Sequence, residues 1–230
     1  MPGEALPDAD WAWLGLAPYG PVAQLQEELR GRIRDGSGRD ILLLLEHSPV
    51  VTLGRHADPA NLRLAPAELR ARGIEVHPCT RGGDVTYHGP GQLVGYPIFR
   101  LRRGVRAHVE AMAAGVIELL ATFNIAGEWR ADRPGVWVKD DKICAFGVHV
   151  RHGVAIHGFA LNVHTALDGF ATIVPCGLSD AGVTSMAREL GEAPRVEPLA
   201  RSSIAIFERH LQRHFHEFPA SRLPLPKAPH

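Results

Sequence analysis

A glycine-rich stretch over residues 81–92 restricts the fold of this chain more than any other segment. It contains four glycines and one proline, and it leads directly into the apolar residues 93–98. Glycine allows backbone conformations and close approaches that a side chain would block. Most other side chains of the stretch can form hydrogen bonds, which a plain turn does not need. The stretch therefore predicts a wall of a ligand pocket followed by a strand.

Two other interpretations of this stretch remain open from the residues alone. A phosphate-binding loop is disfavoured, because Gly89 and Gly91 precede a strand rather than a helix. The next glycine, Gly95, also comes one residue too late for a dinucleotide fingerprint. A tight hairpin with incidental glycines is the simpler alternative. It does not account for the density of donors and acceptors, which include Arg81 and His88.

The composition is that of an ordinary globular protein. The chain has 230 residues, of which 45% are hydrophobic, enough for one sizeable core. Lys plus Arg and Asp plus Glu number 25 each, so no overall charge indicates nucleic acid or an anionic membrane surface. No segment is long and apolar enough to span a membrane, and no signal peptide is expected. Three cysteines without metal-type spacing suit a reducing compartment, so we expect a cytoplasmic protein.

Short apolar segments separated by turn signals alternate with a few helical patterns. The expected helices cover residues 21–35, 66–72, 109–123 and 198–215. The expected strands cover residues 41–45, 74–77, 93–99, 136–139, 142–145, 149–151 and 154–156. The last four would form two hairpins, which turn at Asp140-Asp141 and at His152-Gly153.

This succession predicts an α+β fold. We expect a mixed or largely antiparallel sheet flanked by helices that lie mostly on one side. A single catalytic domain would cover residues 1–218. The proline-rich residues 219–230 are expected to form a mobile tail.

A cysteine thiol is the first candidate for catalysis. An unperturbed thiol has a pKa of about 8.5 and is only a few per cent ionised at pH 7. A lysine ammonium about 4 Å away contributes on the order of 4 kcal/mol at an effective dielectric constant of about 20, roughly three pKa units. Cys176 lies between Pro175 and Gly177 in a segment without periodicity, so we expect it to be accessible. Cys144 lies in an apolar strand, where a buried thiol is the default, and stays the alternative.

Lysine is rare in this chain, which narrows the choice of a partner for the thiol. The lysines are Lys139, Lys142 and Lys227. Lys142 heads an apolar strand that directs it inward, and strand alternation places it on the same face as Cys144. His88 and His157 are the alternative bases.

Two clusters of charged or metal-binding residue types have simpler explanations. His210 and His214 are four residues apart in the last expected helix, but no carboxylate motif accompanies them, so we expect no metal site. Four arginines follow the strand that ends at residue 99: Arg100, Arg102, Arg103 and Arg106. A solvated basic turn is the simplest interpretation, and a docking patch for an acidic protein is the alternative.

Four segments in this order resemble the lipoyl(octanoyl) transferases, a family similar in fold to the biotin and lipoate protein ligases. The first is R-G-G-D-V-T-Y-H-G-P-G-Q-L-V-G-Y-P, which begins at Arg81. The others are K-I-C-A-F-G-V at residues 142–148, H-G-F-A-L-N at residues 157–162 and P-C-G-L-S-D at residues 175–180. The resemblance covers roughly residues 40–190, and the first motif is long enough to be highly specific.

The resemblance implies a large sheet with a small accessory sheet, and a two-step acyl transfer. An octanoyl group would move from acyl carrier protein to Cys176, and then to a lysine ε-amino group of a lipoyl domain, while Lys142 carries the protons. The acceptors would be lipoyl domains of 2-oxoacid dehydrogenase complexes and the glycine cleavage H protein. No cofactor, nucleic acid or membrane is implied. The substrate would contact Arg81, Gly82, Gly83, Asp84, Val85, Thr86, Tyr87, His88, Ala145, Phe146, Gly147, Gly158, Phe159 and Ala160.

Two rival functions share some of these features. An ATP-dependent lipoate or biotin protein ligase of the same fold would hold an adenylate and would have no use for an acylated cysteine. A non-catalytic phosphate or nucleic-acid-binding module is the other rival. Neutral charge and the absence of interleaved basic and aromatic residues argue against it.

Overall fold

The computed structural model describes residues 6–174 and 182–224, and the elements named below lie within them. The strands are β1 (Asp8–Ala17), β2 (Ile41–His47), β3 (Val50–Leu53), β4 (Glu75–Pro78), β5 (Val85–His88), β6 (Gln92–Arg100), β7 (Glu128–Arg130), β8 (Gly135–Val138), β9 (Asp141–Arg151), β10 (Val154–Asn162), β11 (Gly182–Val183) and β12 (His214–Glu217). The helices are α1 (Tyr19–Arg34), α2 (Pro66–Ala71), α3 (Val105–Ala121), α4 (Met186–Leu190) and α5 (Val196–Leu211).

The strands form one large sheet and one small sheet. The large sheet has the order β12-β1-β2-β6-β10-β9-β8-β7, and β11 pairs with β9. In it, β1 runs parallel to β2 and β12, β11 runs parallel to β9, and the other neighbours are antiparallel. The small sheet has the order β4-β3-β5. The predicted α+β architecture, with a mixed sheet and a small accessory sheet, is confirmed.

Helices cover both faces of the large sheet. Helices α3 and α5 pack against one face, to which Leu42 and Leu44 of β2 contribute. Helix α1 packs against the other face, together with Leu43 and Leu45. The Ile-Leu run of β2 is therefore buried on both sides, as its composition predicts. The expectation that the helices lie mostly on one side is wrong for α1.

Strands β1 and β12 are not predicted by the sequence. Between Trp13 and Leu16 of β1 the register shifts, which disturbs the alternation that identifies a strand. Strand β12 has four residues and follows Gln212, whose left-handed backbone ends α5. His214 therefore lies in a strand, so the predicted placement of His210 and His214 on one helix is wrong.

The two predicted hairpins are present, and one of them turns at a different place. The residues between β8 and β9 are Lys139, with a φ of +52°, and Asp140, whereas Asp141 already belongs to β9. The hairpin between β9 and β10 turns at His152 and Gly153, as predicted. Both have positive φ, which is typical of a type I′ turn.

Two further boundaries differ from the expectations. The glycine-rich stretch is not a loop throughout, because its centre forms β5, the edge strand of the small sheet that pairs with β3. Leu223 lies within the stretch expected to be a mobile tail, yet it is only 9% exposed and packs against the α1 face of the sheet. Packing of the chain against the domain therefore extends beyond residue 218.

Candidate active site

Two adjacent spaces lie between the small sheet and strands β9 and β10. The inner space is a narrow cavity of about 60 Å³. Its walls are Tyr19, Arg81, Gly83, Thr86, His88, Tyr96, Ala145, Phe146, Gly147, His157, Gly158, Phe159 and Ala160. The outer space is an open groove of about 740 Å³ between the glycine-rich stretch, α3, residues 129–134 and β9. Gly83, Phe146 and Gly147 line both spaces, so the cavity and the groove are adjacent.

Strand β5 presents only half of its side chains to the cavity. Thr86 and His88 line the cavity. Val85 and Tyr87 point the other way, into the core of the small sheet, where the Tyr87 ring lies 5.5 Å from that of Phe170. The prediction that Val85 and Tyr87 contact substrate is therefore not supported by their position. The reason is strand alternation, which a loop assignment does not take into account.

The first residues of the glycine-rich stretch lie at the mouth of the cavity. Gly82, Gly83 and Asp84 line the groove. The carboxylate of Asp84 accepts hydrogen bonds from the backbone N–H of Asp58 at 3.0 Å and from the side-chain amide of Asn61. Asp84 thus fixes a neighbouring loop, which shapes one side of the mouth.

Arg81 is held against the small sheet by three acceptors. Its guanidinium donates to the carbonyl oxygen of Thr52 at 2.7 Å, to the hydroxyl of Thr52 at 2.9 Å and to the carbonyl oxygen of Gly82 at 3.1 Å. A methyl group at Gly147 would lie 3.0 Å from the Arg81 Cδ atom. The glycine at position 147 therefore leaves the room in which the arginine stem crosses β9.

The opposite wall of the cavity depends on the close approach of the neighbouring strands β6 and β10. A side chain at Gly158 would collide with the carbonyl oxygen of Gly95, and a side chain at Gly95 would collide with the ring of Phe159. His157 has a φ of +62°, and its backbone N–H donates to the Gln26 side chain rather than to β6. This local distortion turns residues 157–160 toward the cavity.

A buried polar network lies behind His88. The Gln92 amide nitrogen donates to Asn162 Oδ1 at 2.9 Å, so Gln92 Oε1 accepts the hydrogen bond from His88 Nδ1 at 2.7 Å. The proton of His88 is therefore on Nδ1, and its Nε2 carries the lone pair. Burial lowers the pKa of His88 to about 3. The imidazole is neutral at physiological pH.

A second buried histidine in this region was not identified from the sequence. His47 donates from Nδ1 to the carbonyl oxygen of Ala17 at 2.9 Å, and its Nε2 accepts from the hydroxyl of Tyr96 at 2.8 Å. Tyr96 and Tyr19 line the cavity. These residues lie far apart in the chain, and a single buried histidine or tyrosine gives no local pattern that would single it out.

Lys142 lies at the groove. A β-bulge places it there, because Val136 of β8 pairs with Cys144 whereas the next residue, Trp137, pairs with Lys142. The Lys142 ammonium donates to the carbonyl oxygen of Pro134 at 3.3 Å and lies 4.9 Å from the centre of the Trp137 ring. The groove is lined by Lys142 together with residues 131–134.

Cys144 is buried in the core, whereas Lys142 lies at the groove. Cys144 is 1% exposed and belongs to the main core cluster, and burial raises the pKa of its thiol. Its thiol faces the carbonyl oxygen of Ala145 at 3.7 Å. A thiol in this environment is inert as a nucleophile, so the alternative placed on Cys144 is not favoured.

Cys176 lies outside the described residues, but both flanks of its segment are described. On the N-terminal side, the backbone N–H of Val174 donates to the carbonyl oxygen of Asn61 at 2.8 Å. On the C-terminal side, β11 runs beside the start of β9, and Val183 pairs with Lys142. Thr184 then donates its backbone N–H to the carbonyl oxygen of Lys142 at 3.0 Å. The described part of the chain thus resumes, after this segment, directly beside Lys142.

The four arginines considered as a docking patch have different surroundings. Arg100 donates to the carbonyl oxygens of Ile33 and Arg34 at 2.7 and 2.9 Å, so it caps the end of α1. Arg102 and Arg103 are exposed. Arg106 is exposed, forms an ion pair with Glu110 on α3, and lines the groove.

Two kinds of site have no support among residues 6–174 and 182–224. This part of the chain contains no group of three or more His, Cys, Asp or Glu side chains arranged to hold a metal ion. None of its helices combines the length and apolar character needed to cross a membrane.

Comparisons with known proteins agree with this architecture. An octanoyltransferase of Chloroflexus aurantiacus is 46% identical over 199 residues, which cover 84% of this chain and 89% of the relative. An octanoyltransferase of Rubrobacter xylanophilus is 46% identical over 200 residues, which cover 86% of this chain and 90% of the relative.

Solved structures share the fold at lower sequence identity. A lipoate-protein ligase A bound with ATP superposes with a TM-score of 0.77 at 16% identity, covering 94% of this chain and 90% of that one. A bipartite lipoate protein ligase from Thermoplasma acidophilum gives a TM-score of 0.71 at 16% identity, with coverages of 94% and 88%. The profile of the lipoyl protein ligase A/B catalytic domain matches residues 18–208. The resemblance to the lipoyl(octanoyl) transferases is confirmed, and the chain belongs to the lipoyl protein ligase A/B catalytic domain family.

Proposed function

We propose that this chain is an octanoyltransferase of protein lipoylation that works through a cysteine thioester. Its donor is octanoyl acyl carrier protein, and its acceptors are lysines on lipoyl domains of 2-oxoacid dehydrogenase complexes and on the glycine cleavage H protein. Cys176 carries the acyl group and Lys142 carries the protons. The reaction needs no cofactor, and the reduced thiol is suited to the cytoplasm.

One observation supports this proposal most directly. The strand that bears Lys142 pairs with β11, the C-terminal flank of the segment that contains Cys176. Gly182 and Cys176 are six residues apart, so the backbone between them spans at most about 20 Å. This short link is compatible with a Cys176 thiol near the Lys142 ammonium, which lies at the groove beside the inner cavity.

The inner cavity is suited to an acyl chain. Ala145, Phe146, Phe159 and Ala160 supply apolar surface, and glycines supply space. The nearby histidines are neutral, because burial lowers the pKa of His157, like that of His88, to about 3. In the proposal, the end of the octanoyl chain enters this cavity, whose volume of about 60 Å³ does not hold all eight carbons, and the reacting carbonyl lies in the groove near Gly83 and Gly147.

The first step exchanges one thioester for another. The Cys176 thiolate forms a bond to the octanoyl carbonyl carbon, and the bond from that carbon to the carrier sulfur breaks. The Lys142 ammonium favours the thiolate by its charge and gives a proton to the departing carrier thiolate. Backbone N–H groups of the same segment would stabilise the intermediate oxyanion.

The second step forms the amide. The neutral ε-amine of the acceptor lysine attacks the Cys176 thioester, the carbon–sulfur bond breaks, and the amine loses one proton to neutral Lys142. His88 and His157 are poorly matched to this role, because a base with a pKa of about 3 accepts protons weakly at pH 7. Lys142 is regenerated as the ammonium, ready for the next thiolate.

Intact-mass spectrometry tests the proposal. After exposure to octanoyl acyl carrier protein, the mass of the wild-type chain should rise by one octanoyl group. Cys176→Ala should gain nothing, while Cys144→Ala, the matched control, should be acylated as the wild type is. Acylation of Cys176→Ala together with loss of acylation in Cys144→Ala would overturn the assignment.

A parallel incubation distinguishes the ligase alternative. The chain is mixed with lipoate, radiolabelled ATP and a lipoyl domain, and release of pyrophosphate is measured. No release, combined with octanoyl transfer from the carrier protein, is expected. Pyrophosphate release without acylation of any cysteine would identify the chain as a ligase.

A further inference from the structure

Lys142 occupies a slot on the neighbouring strand β8. A methyl group at Gly135 would lie 2.8 Å from Cε and 3.1 Å from Cδ of Lys142. Carbon atoms in contact are normally about 3.5–4.0 Å apart, so the lysine stem fits over position 135 only because no side chain is there. The stem ends with its ammonium near the Trp137 ring and the Pro134 carbonyl oxygen.

Trp137 provides a fixed surface beside this ammonium. Its side chain is fully buried, and its indole N–H donates to the carbonyl oxygen of Arg133 at 3.0 Å. The guanidinium carbons of Arg130 and Arg133 also lie 5.4 and 5.9 Å from the ring centre. Aromatic faces attract cations at such distances, so the indole holds the Lys142 ammonium at the groove.

We propose that Gly135 and Trp137 are positioning residues for Lys142, and this proposal rests on the proton-carrying role of Lys142 stated above. A lysine side chain is flexible, so an unsupported ammonium would sample many positions. Proton transfer requires the group within hydrogen-bond reach of the reacting atoms, and a misplacement of about 1 Å is costly. The absence of a side chain at Gly135 determines where the aliphatic part of the Lys142 side chain lies, and the indole of Trp137 holds the ammonium.

Gly135→Ala displaces the ammonium without removing it. Gly135 lacks a positive φ, so alanine is compatible with its backbone. We expect kcat for octanoyl transfer to a lipoyl domain to fall at least about tenfold, while KM for both protein substrates changes less than about twofold. Gly31→Ala is the matched control, because open space surrounds Gly31 on helix α1, and its kinetics should equal the wild type. Wild-type kcat in a folded Gly135→Ala variant would overturn the proposal.

A stability cycle separates the slot from a general packing effect. The added methyl would also lie 3.1 Å from the Cys144 carbonyl oxygen, so part of any loss of Tm could come from the backbone. Thermal unfolding is measured for Gly135→Ala, Lys142→Ala and the double variant. If the methyl meets the lysine stem, the loss of Tm caused by Gly135→Ala shrinks in the Lys142→Ala background. An equal loss in both backgrounds would refute the slot.

A pair of substitutions at Trp137 tests the indole surface. Trp137→Phe keeps an aromatic face and Trp137→Leu does not, while both lose the hydrogen bond to Arg133. We expect kcat for Trp137→Leu to be about two- to thirtyfold below that of Trp137→Phe, the range that cation–π attraction spans. Equal kcat in the two variants would show that the ring face does not position Lys142.

These tests stay distinguishable from a failure of the proposed function. If the wild-type chain transfers no octanoyl group, the proposed function is wrong, and kcat values of the Gly135 and Trp137 variants cannot be measured. The stability cycle needs no activity, so it decides separately whether Lys142 lies over Gly135. If Trp137 variants do not fold, the Gly135 arms alone decide.

Discussion

Mild acid should weaken this fold at four buried histidines: His47, His88, His108 and His157. Each is less than a tenth exposed. Burial lowers the pKa of His47 and His108 to about 4, and that of His88 and His157 to about 3. In the unfolded chain each of these side chains would have a pKa of about 6.5.

The sign follows from proton binding. Between about pH 6.5 and the folded-state pKa, the unfolded chain binds more protons than the folded chain, so the free energy of unfolding falls as the pH falls. At pH 5.5 each histidine lowers it by a little over ~1 kcal/mol relative to pH 7.5. The four together lower it by about 5 kcal/mol, which is a large part of the roughly 5–15 kcal/mol that holds a typical domain.

The window between pH 7.5 and 5.5 isolates the histidines from the carboxylates. Asp8 and Glu118 stay ionised above pH 5, because hydrogen bonds, to His216 and His210 respectively, are the main cause that lowers the pKa of each carboxylate. The loss of stability from the buried histidines therefore dominates.

Urea unfolding followed by circular dichroism measures this loss. His108→Leu should be the informative variant, because the His108 Nε2 atom is buried and has no hydrogen-bond partner among the residues that the structure describes. We expect this variant to reduce the difference in unfolding free energy between pH 7.5 and pH 5.5 by about a quarter, without loss of stability at pH 7.5. His152→Asn is the matched control at an exposed turn and should leave the difference unchanged. Equal unfolding free energies at pH 5.5 and 7.5 in the wild type would refute the reasoning.

Two further variants address the chemistry and the encounter with the carrier protein. In Lys142→Arg, thioester formation on Cys176 should survive in part because the charge remains. Transfer to the acceptor lysine should fall about a hundredfold or more, since arginine cannot act as a base. Single-turnover kinetics of each half-reaction measure the two rates, and an equal loss of both rates would contradict the prediction. Substitution of both Arg102 and Arg103 by Glu should raise KM for the carrier protein, leave kcat nearly unchanged and flatten the salt dependence of KM. Arg100 is not substituted in this variant because it caps α1. An unchanged KM would show that these arginines do not dock the carrier protein.

Local patterns predicted a large part of the fold. The Ile-Leu run of β2 and the helical spacing in α1 and α3 are visible because burial imposes a period on neighbouring residues. Within the motif that begins at Arg81, the side chains of Arg81, Thr86 and His88 line the cavity. Ser185 accepts a hydrogen bond from the backbone N–H of Arg188, which is typical of a serine at the start of a helix.

Features that depend on distant contacts could not be predicted in the same way. The alternation of β5 inside a glycine-rich stretch needs its partner β3, which lies more than thirty residues earlier in the chain. The bulge that separates Lys142 from Cys144 depends on the register of β8. His47 becomes part of the cavity region through its contacts with Tyr19, His88 and Tyr96. None of these relations leaves a period in the sequence.

The polar network behind the cavity connects the two halves of the site. From His88 it runs through Gln92 and Asn162 to the carbonyl oxygen of Thr184, which Asn162 Nδ2 contacts at 3.0 Å. The backbone N–H of Thr184 in turn donates to Lys142. A buried polar group left without a partner costs about 1–3 kcal/mol, so each link holds its neighbours in place. The wall of the cavity and the strand pairing beside Lys142 are therefore fixed by one continuous set of hydrogen bonds, although their residues lie nearly a hundred positions apart.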